Sequence, residues 1–216
     1  MAYETLESLR AELRTRLGYS SAGPSAGVIQ ENLNSFLKRG QEILYETHDW
    51  VRLRKYEDKS VGVNQYLVDY PATANPERIK AISILDGTVW SPPLPKGIRP
   101  QLYTTQANTS RPARWEPYEQ IELWPKADKI YTARIFFIKL LERFEQDGDV
   151  TSIDGGLVFT IALGNAKAHY RHPDAELYVG ERDALLTRLK SKSWGRDVFS
   201  PNDYVEEAAL PKPVVI

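Results

Sequence analysis

Cysteine is absent from the 216 residues. That removes disulfides, thiolate nucleophiles and Cys-ligated zinc together. Only three histidines remain as imidazole donors. Charge of one sign is lacking too: 28 Lys and Arg stand against 29 Asp and Glu, a formal net charge of −1. The overall balance therefore gives no reason to expect a nucleic-acid or membrane-surface binder. No apolar run approaches the roughly 18 residues that a membrane span needs. The opening stretch MAYETLESLRAEL reads as an amphipathic helix and not as a signal peptide, so folding in the cytosol is expected. The signatures GxSxG, GxGxxG, HExxH and the Walker lysine loop are all missing.

What is present is ordinary in composition and uneven in layout. With 42% hydrophobic and 26% charged residues, the chain is that of a soluble globular protein. Its length suits one large domain, or a main domain with a sizeable insertion. Leu6, Leu9, Leu13 and Leu17 follow helical spacing, with Gly18 where a C-cap belongs. The loop GYSSAGPSAG follows, and Ser25 is placed to cap a second helix with the stripe Ile29, Leu33, Phe36, Leu37, Ile43 and Leu44. Gly40 lies on that stripe, where a neighbouring backbone can approach closely. From about Ser60 to Ile138 the pattern changes. Nine prolines forbid long helices there, and VNQYLV, RIKAISIL, QIELW and KIYTARIFF alternate with the period of two expected of strands. QIELW and KIYTARIFF read as the two arms of a hairpin carrying Trp124 and Tyr131 at its turn end. Helical stripes return with Leu157, Ile161, Ala162 and Ala168, break at RHPD, and resume with Tyr178, Arg182, Leu185 and Leu189.

The expected fold class is α+β: mainly a helical bundle, with an inserted β-rich domain and an extended C-terminal arm. The boundaries expected are 1–58 with 150–192 for the bundle, 59–149 for the insertion and 193–216 for the arm. The arm contains Pro201, Pro211 and Pro213 and ends in Val214-Val215-Ile216.

Candidates for chemistry are few. His169 and His172 are three apart, but no carboxylate at a standard spacing completes a metal site and Pro173 ends the helix, so a helix-end role is preferred. His48 sits near a helix C-terminus, where the dipole favours it. The loop DGDVTSIDGG brings Asp147, Asp149 and Asp154, yet lacks the later bidentate Glu of a calcium loop, and turns and N-caps need the same residues. No catalytic residue, metal or cofactor is expected. Arg52, Arg54, Lys55 and Tyr56 interleave cations with an aromatic ring, as single-strand binders do. Glu57 and Asp58 follow directly, which favours a solvated strand instead. The five tryptophans, Trp50, Trp90, Trp115, Trp124 and Trp194, lie mostly at junctions, where either core packing or subunit contact places them.

One ordered set of features does carry a likeness. A helix bearing Gln41, with eight residues between it and Trp50, leads to a short strand. Tyr66-Leu67-Val68-Asp69-Tyr70-Pro71 follows, running to Arg78-Ile79 and Ile82. Next come a strand ending Leu123-Trp124-Pro125 and its return through Tyr131, and the pair helix–RHPDAE–helix closes the order. This resembles the head-to-tail adaptor proteins of tailed bacteriophages, known also as tail accessory factors, gatekeepers or tail tubular protein A, over roughly residues 1–195. The chain departs from the family pattern at Asp69-Tyr70-Pro71, where Leu-Pro is usual, and throughout 87–112. The resemblance implies a structural virion protein at the head–tail junction, made in the host cytoplasm. It implies a closed ring of about twelve copies beneath the portal protein, its size set by the rotation between subunits. Such a ring extends the channel for passing double-stranded DNA, without sequence-specific binding, and offers its lower surface to the next tail or nozzle protein. The arm is then expected to reach into the portal. Partner-binding residues expected on this view are Trp50, Trp124, Tyr131, Val214, Val215 and Ile216. Two other functions stay open: a virion-associated peptidoglycan hydrolase, and a nucleic-acid module built on Arg52, Arg54, Lys55 and Tyr56.

Overall fold

Leu6, Leu9 and Leu13, spaced three and four apart, become the buried side of the first helix, α1 (Leu6–Arg16). Thr5 caps it by accepting from the Ser8 N–H at 3.2 Å. Its far end closes on Gly18, whose φ of +73° suits glycine. There the Tyr19 N–H donates to the Arg14 carbonyl and the Gly18 N–H to that of Thr15, both at 3.1 Å. The computed structural model describes residues 4–20, 26–103 and 109–194. The predicted cap Ser25 and the C-terminal arm from residue 195 on, with Val214, Val215 and Ile216, lie outside the described residues.

The remaining elements run in chain order. Helix α2 (Ala26–Thr47) and a 3-10 turn at Val51–Leu53 lead into strands β1 (Arg54–Val61), β2 (Leu67–Val68), β3 (Ala74–Asp86) and β4 (Val89–Trp90). A one-turn helix α3 (Pro100–Tyr103) precedes β5 (Arg114–Pro117), β6 (Ile121–Trp124) and β7 (Tyr131–Lys139). Helices α4 (Gly155–His169) and α5 (Ala175–Trp194) complete the series. The chain is thus mixed α+β, with helices on either side of a β-rich stretch.

It divides into two compact units. The helical unit takes Met1–Leu53 and Leu141–Arg196, and the sheet unit takes Arg54–Leu140. The division falls at Leu53/Arg54 and Leu140/Leu141, not at the expected 58/59 and 149/150. The reason is pairing: Arg54 is already opposite Ile138 in the β1–β7 ladder, so 54–58 belong to the sheet. Residues 141–149 instead belong with the helices. There the Asp147 and Asp149 carbonyls accept from the N–H groups of Glu7 and Leu6, and the Gln41 side chain donates to the Glu142 carbonyl.

In the helical unit, Leu33, Leu37 and Leu44 of α2 are buried with Leu157, Val158, Ile161 and Ala162 of α4. Gly40 lets these two helices come together. A Cβ there would meet the Val158 carbonyl oxygen at 3.2 Å and Ile161 Cγ2 at 3.5 Å. Gln41, 1% exposed, is wholly satisfied inside: its amide nitrogen donates to the Glu142 carbonyl at 2.9 Å and its oxygen accepts from the Ser152 N–H at 3.1 Å. Arg10 of α1, also buried, makes a fork to both Asp147 oxygens at 2.7 and 2.9 Å.

The sheet unit contains two antiparallel sheets, ordered β1-β7-β3-β4 and β2-β6-β5. Val61, Ile82, Ile84, Tyr131, Ala133, Ile135 and Phe137 of the first share one core with Val68, Trp115, Ile121 and Leu123 of the second. The hairpin expected from 120–137 does not form. Strand β6 is flanked by β2 and β5, and β7 by β1 and β3, so neither has a free edge for the other. Pro125 after Trp124 has no N–H with which to continue the β6 ladder. The two alternating runs therefore put their buried faces into one core from opposite sheets.

Strand β1 forms one rim of its sheet. On its inner side, opposite Ile135 and Ala133 of β7, it carries Glu57 and Lys59, which pair at 2.9 Å.

Candidate protein-contact face

Burial of Tyr131, Ala133, Ile135 and Phe137 forces the alternate residues of β7 to the other side of the sheet. Those are Thr132, Arg134 and Phe136. Register fixes their neighbours: Tyr56 lies opposite Phe136 and Asp58 opposite Arg134 on β1, while Ser83 and Leu85 of β3 flank Arg134 and Thr132. Leu85 in turn pairs with Trp90 of β4.

Arg134 is the centre of this outer face. Its guanidinium carbon lies 4.4 Å from the Tyr56 ring centroid and 4.3 Å from that of Trp90. Its Nε and Nη2 each donate to one oxygen of Asp58 at 2.8 Å. The hydrogen bonds from Arg134 hold the Asp58 carboxyl below its ordinary range, and the same bonds raise the guanidinium. With the fork occupied by a carboxylate, the face keeps little cationic character for a phosphate. What it presents is ring and aliphatic surface: Tyr56 is 59% exposed and stands 6.0 Å from Phe136. Ile130, 70% exposed, lies just before β7 in the chain. Two rings and an ion pair hold the arginine in place, so less side-chain freedom remains to be lost on binding.

No family model and no curated protein matches the chain. The functional reading accordingly rests on the residues themselves.

The contact residues expected from the sequence fare differently. Trp50 is only 8% exposed; its indole N–H donates to the Leu44 carbonyl at 2.7 Å and its ring meets His48 edge-on at 5.2 Å. Tyr131 is 3% exposed and donates from its hydroxyl to Asp128 at 2.7 Å. Burial, with the Asp128 hydrogen bond second, pushes its phenol up to about 12. Both side chains are core members and not exposed anchors, which corrects that expectation. Trp124 stays half-buried at the end of β6, paired with Arg114.

The other candidates separate as well. Arg52 donates to the Thr151 carbonyl at 3.1 Å inside the helical unit. Lys55 and Tyr56 alternate to opposite sides of β1, so the basic run makes no common stripe. The acidic loop is divided among local duties: Asp147 holds Arg10, Asp149 accepts from the Glu145 and Gln146 N–H groups, and Asp154 caps α4 by accepting from the Leu157 N–H at 3.2 Å. His169 packs its ring against Phe36 and Tyr170 at the end of α4. Among the described residues, no group of three or more His, Asp and Glu side chains is gathered as a metal would require, and no helix is long and apolar enough to cross a membrane.

Sequence reasoning missed Arg134, and with it the cluster that joins Asp58 and Trp90. The signal was available in KIYTARIFF itself: once Tyr131, Ala133, Ile135 and Phe137 are assigned inward, Phe136 stands outward as a large apolar residue needing an explanation.

Proposed function

We propose that this chain is a structural adaptor of a tailed-phage particle, a subunit that joins copies of itself into a ring between portal and tail. The outer sheet face carries the reading: Tyr56 and Trp90 around a fixed Arg134, with Phe136 beside Tyr56, have the aromatic-and-arginine make-up of contact hot spots. The order of helices, inserted β-part and helices supports it further, because the likeness to head-to-tail adaptors lies in that order. In the ring, one lateral side of a subunit meets the other side of its neighbour, and shape with contact area does the work. Half-buried Trp124 remains a contact candidate, whereas Tyr131 lies in the core beneath the sheet.

Electron microscopy of the purified chain mixed with portal rings tests this. Added ring-shaped density on the portal is the expected outcome, with its loss in a Tyr56→Ala, Phe136→Ala double variant that keeps its native circular dichroism. A chain that stays a lone species beside intact portal rings at every concentration overturns the reading.

A further inference from the structure

Helix α4 turns different sides to its two helical neighbours. Toward α2 it presents Val158, Ile161 and Ala162, all buried. Toward α5 it presents Thr160, Gly164 and Lys167, a row spaced four and three apart. This second row is small or polar and supplies little apolar area to hold a partner. The helix laid on it reflects that: from Ala175 to Ser191 no residue of α5 is buried, and Leu185 and Leu189 are only half-buried. A groove of about 370 Å³ runs beside those two leucines, lined also by Leu157, Phe159 and Thr160. The far half of α5 is therefore packed less closely than an interior.

The near end is held by specific contacts instead. The Lys167 side chain, only 8% exposed, pairs with Asp174 just ahead of α5, and its ammonium stands 4.3 Å from the centre of the Tyr178 ring. Between the helices the chain turns through Arg171 at φ +55°, the left-handed conformation that favours glycine. The Arg171 N–H donates to the Ala168 carbonyl at 3.1 Å and the His172 N–H to the Lys167 carbonyl at 2.9 Å, which closes α4. Pro173 follows and has no N–H to carry the α4 ladder onward. A residue with a side chain held left-handed is strained, and that strain is relieved when the turn opens.

We propose that α5 is a hinged strap: it lifts from α4 as one unit about the Arg171 turn while α1, α2 and α4 stay folded, and the Lys167–Asp174 pair is its catch. Lifting breaks the Lys167 contacts and uncovers a row of threonine, glycine and lysine. Parting α2 from α4 would instead empty the core around Leu33, Leu37 and Ile161. The strap gives the helical unit one element that changes position without unfolding the rest. It holds whether or not the chain forms a ring.

Native-state hydrogen exchange of the full chain tests this. The amides of 179–191 are expected to exchange together, with a shared protection at least about tenfold below that of the Leu37 and Ile161 amides. Asp174→Asn should speed the α5 amides about tenfold further and leave those of α2 and α4 unchanged. The cysteine-free sequence permits a pinned control. A Cβ on Gly164 would lie 3.7 Å from that of Tyr178, a separation that a disulfide spans, so Gly164→Cys with Tyr178→Cys can fasten the strap. Oxidised, this variant should raise the α5 amides toward the protection of α4; reduced, it should release them. Protection of α5 equal to that of α2 and α4 in the unpinned chain overturns the proposal. So does protection that declines residue by residue toward 191, which is fraying, or an Asp174→Asn effect shared by all helices. Equal exchange of α5 in the oxidised and reduced forms overturns it as well.

Discussion

The two units hold themselves together in opposite ways. The helical unit buries leucine against leucine and ties distant segments with polar groups set inside: Gln41 to Glu142 and Ser152, and Arg10 to Asp147. The sheet unit fills its core with β-branched and aromatic side chains and places its main charged cluster, Asp58 with Arg134, outside. Buried polar groups are expensive to leave unpaired, so the first arrangement specifies which segments meet. An outer cluster bears little on stability and leaves a surface ready for contact. Specification lies within the helical unit, and on the proposed function recognition falls to the sheet unit.

The largest test of that contrast strikes each core at its centre. Leu37→Ala and Ile135→Ala each empty a position that is fully buried and should cost about 2–5 kcal/mol, read from urea unfolding. A smaller loss from either would mean that its core relaxes around the gap. Next comes the internal polar tie. Gln41→Leu strands the Ser152 N–H, leaves the Glu142 carbonyl with the Ser152 hydroxyl at 3.4 Å, and should cost about 1–3 kcal/mol in the same measurement. No loss would place the specificity of the helical unit elsewhere. Gly40→Ala should cost about 1 kcal/mol, because the overpacking against the Val158 carbonyl exceeds the gain in helix propensity.

Titration sharpens the inside–outside contrast within the sheet unit. Tyr131 keeps its proton longer when folded, so its contribution is whole below 10.0 and lost as the pH rises toward about 12. Tyrosinate absorbance should show a late-titrating component that shrinks in Tyr131→Phe, with Tyr19 and Tyr70 also raised by burial. Asp58 is shifted the other way: its contribution is present above the ordinary 3.8 and lost as the pH falls through its lower folded value. Asp58→Asn should flatten that acid limb slightly, since the pair is partly exposed. Smallest of all is the stability effect of Tyr56→Ala, within about 0.5 kcal/mol, set against a clear loss of assembly. Equal loss of both would make the outer face structural.

The helices were legible because their signals are local. Leu6, Leu9 and Leu13, the glycine after α1 and the RHPD break each act within a few residues, and Gly40 marked a close approach before its partner was known. The sheets were less legible because alternation reveals a strand's faces and not its partners. QIELW and KIYTARIFF alternate as a hairpin does, yet each is flanked on both sides by other strands. The same limit hid the contact face. Arg134 meets Asp58 across 76 residues and Trp90 across 44, distances over which no periodicity in one sequence reports. Trp50 and Tyr131 misled for the complementary reason: a junction aromatic and a core aromatic look alike until burial separates them.

The rim strand β1 has one more implication. A naked strand margin invites addition of further chains, strand upon strand, and ends in fibres. Here Glu57 and Lys59 point toward the apolar side, so an incoming copy would have to bring its own ion pair onto a greasy layer. The margin of the sheet thereby guards itself against the addition of a further strand.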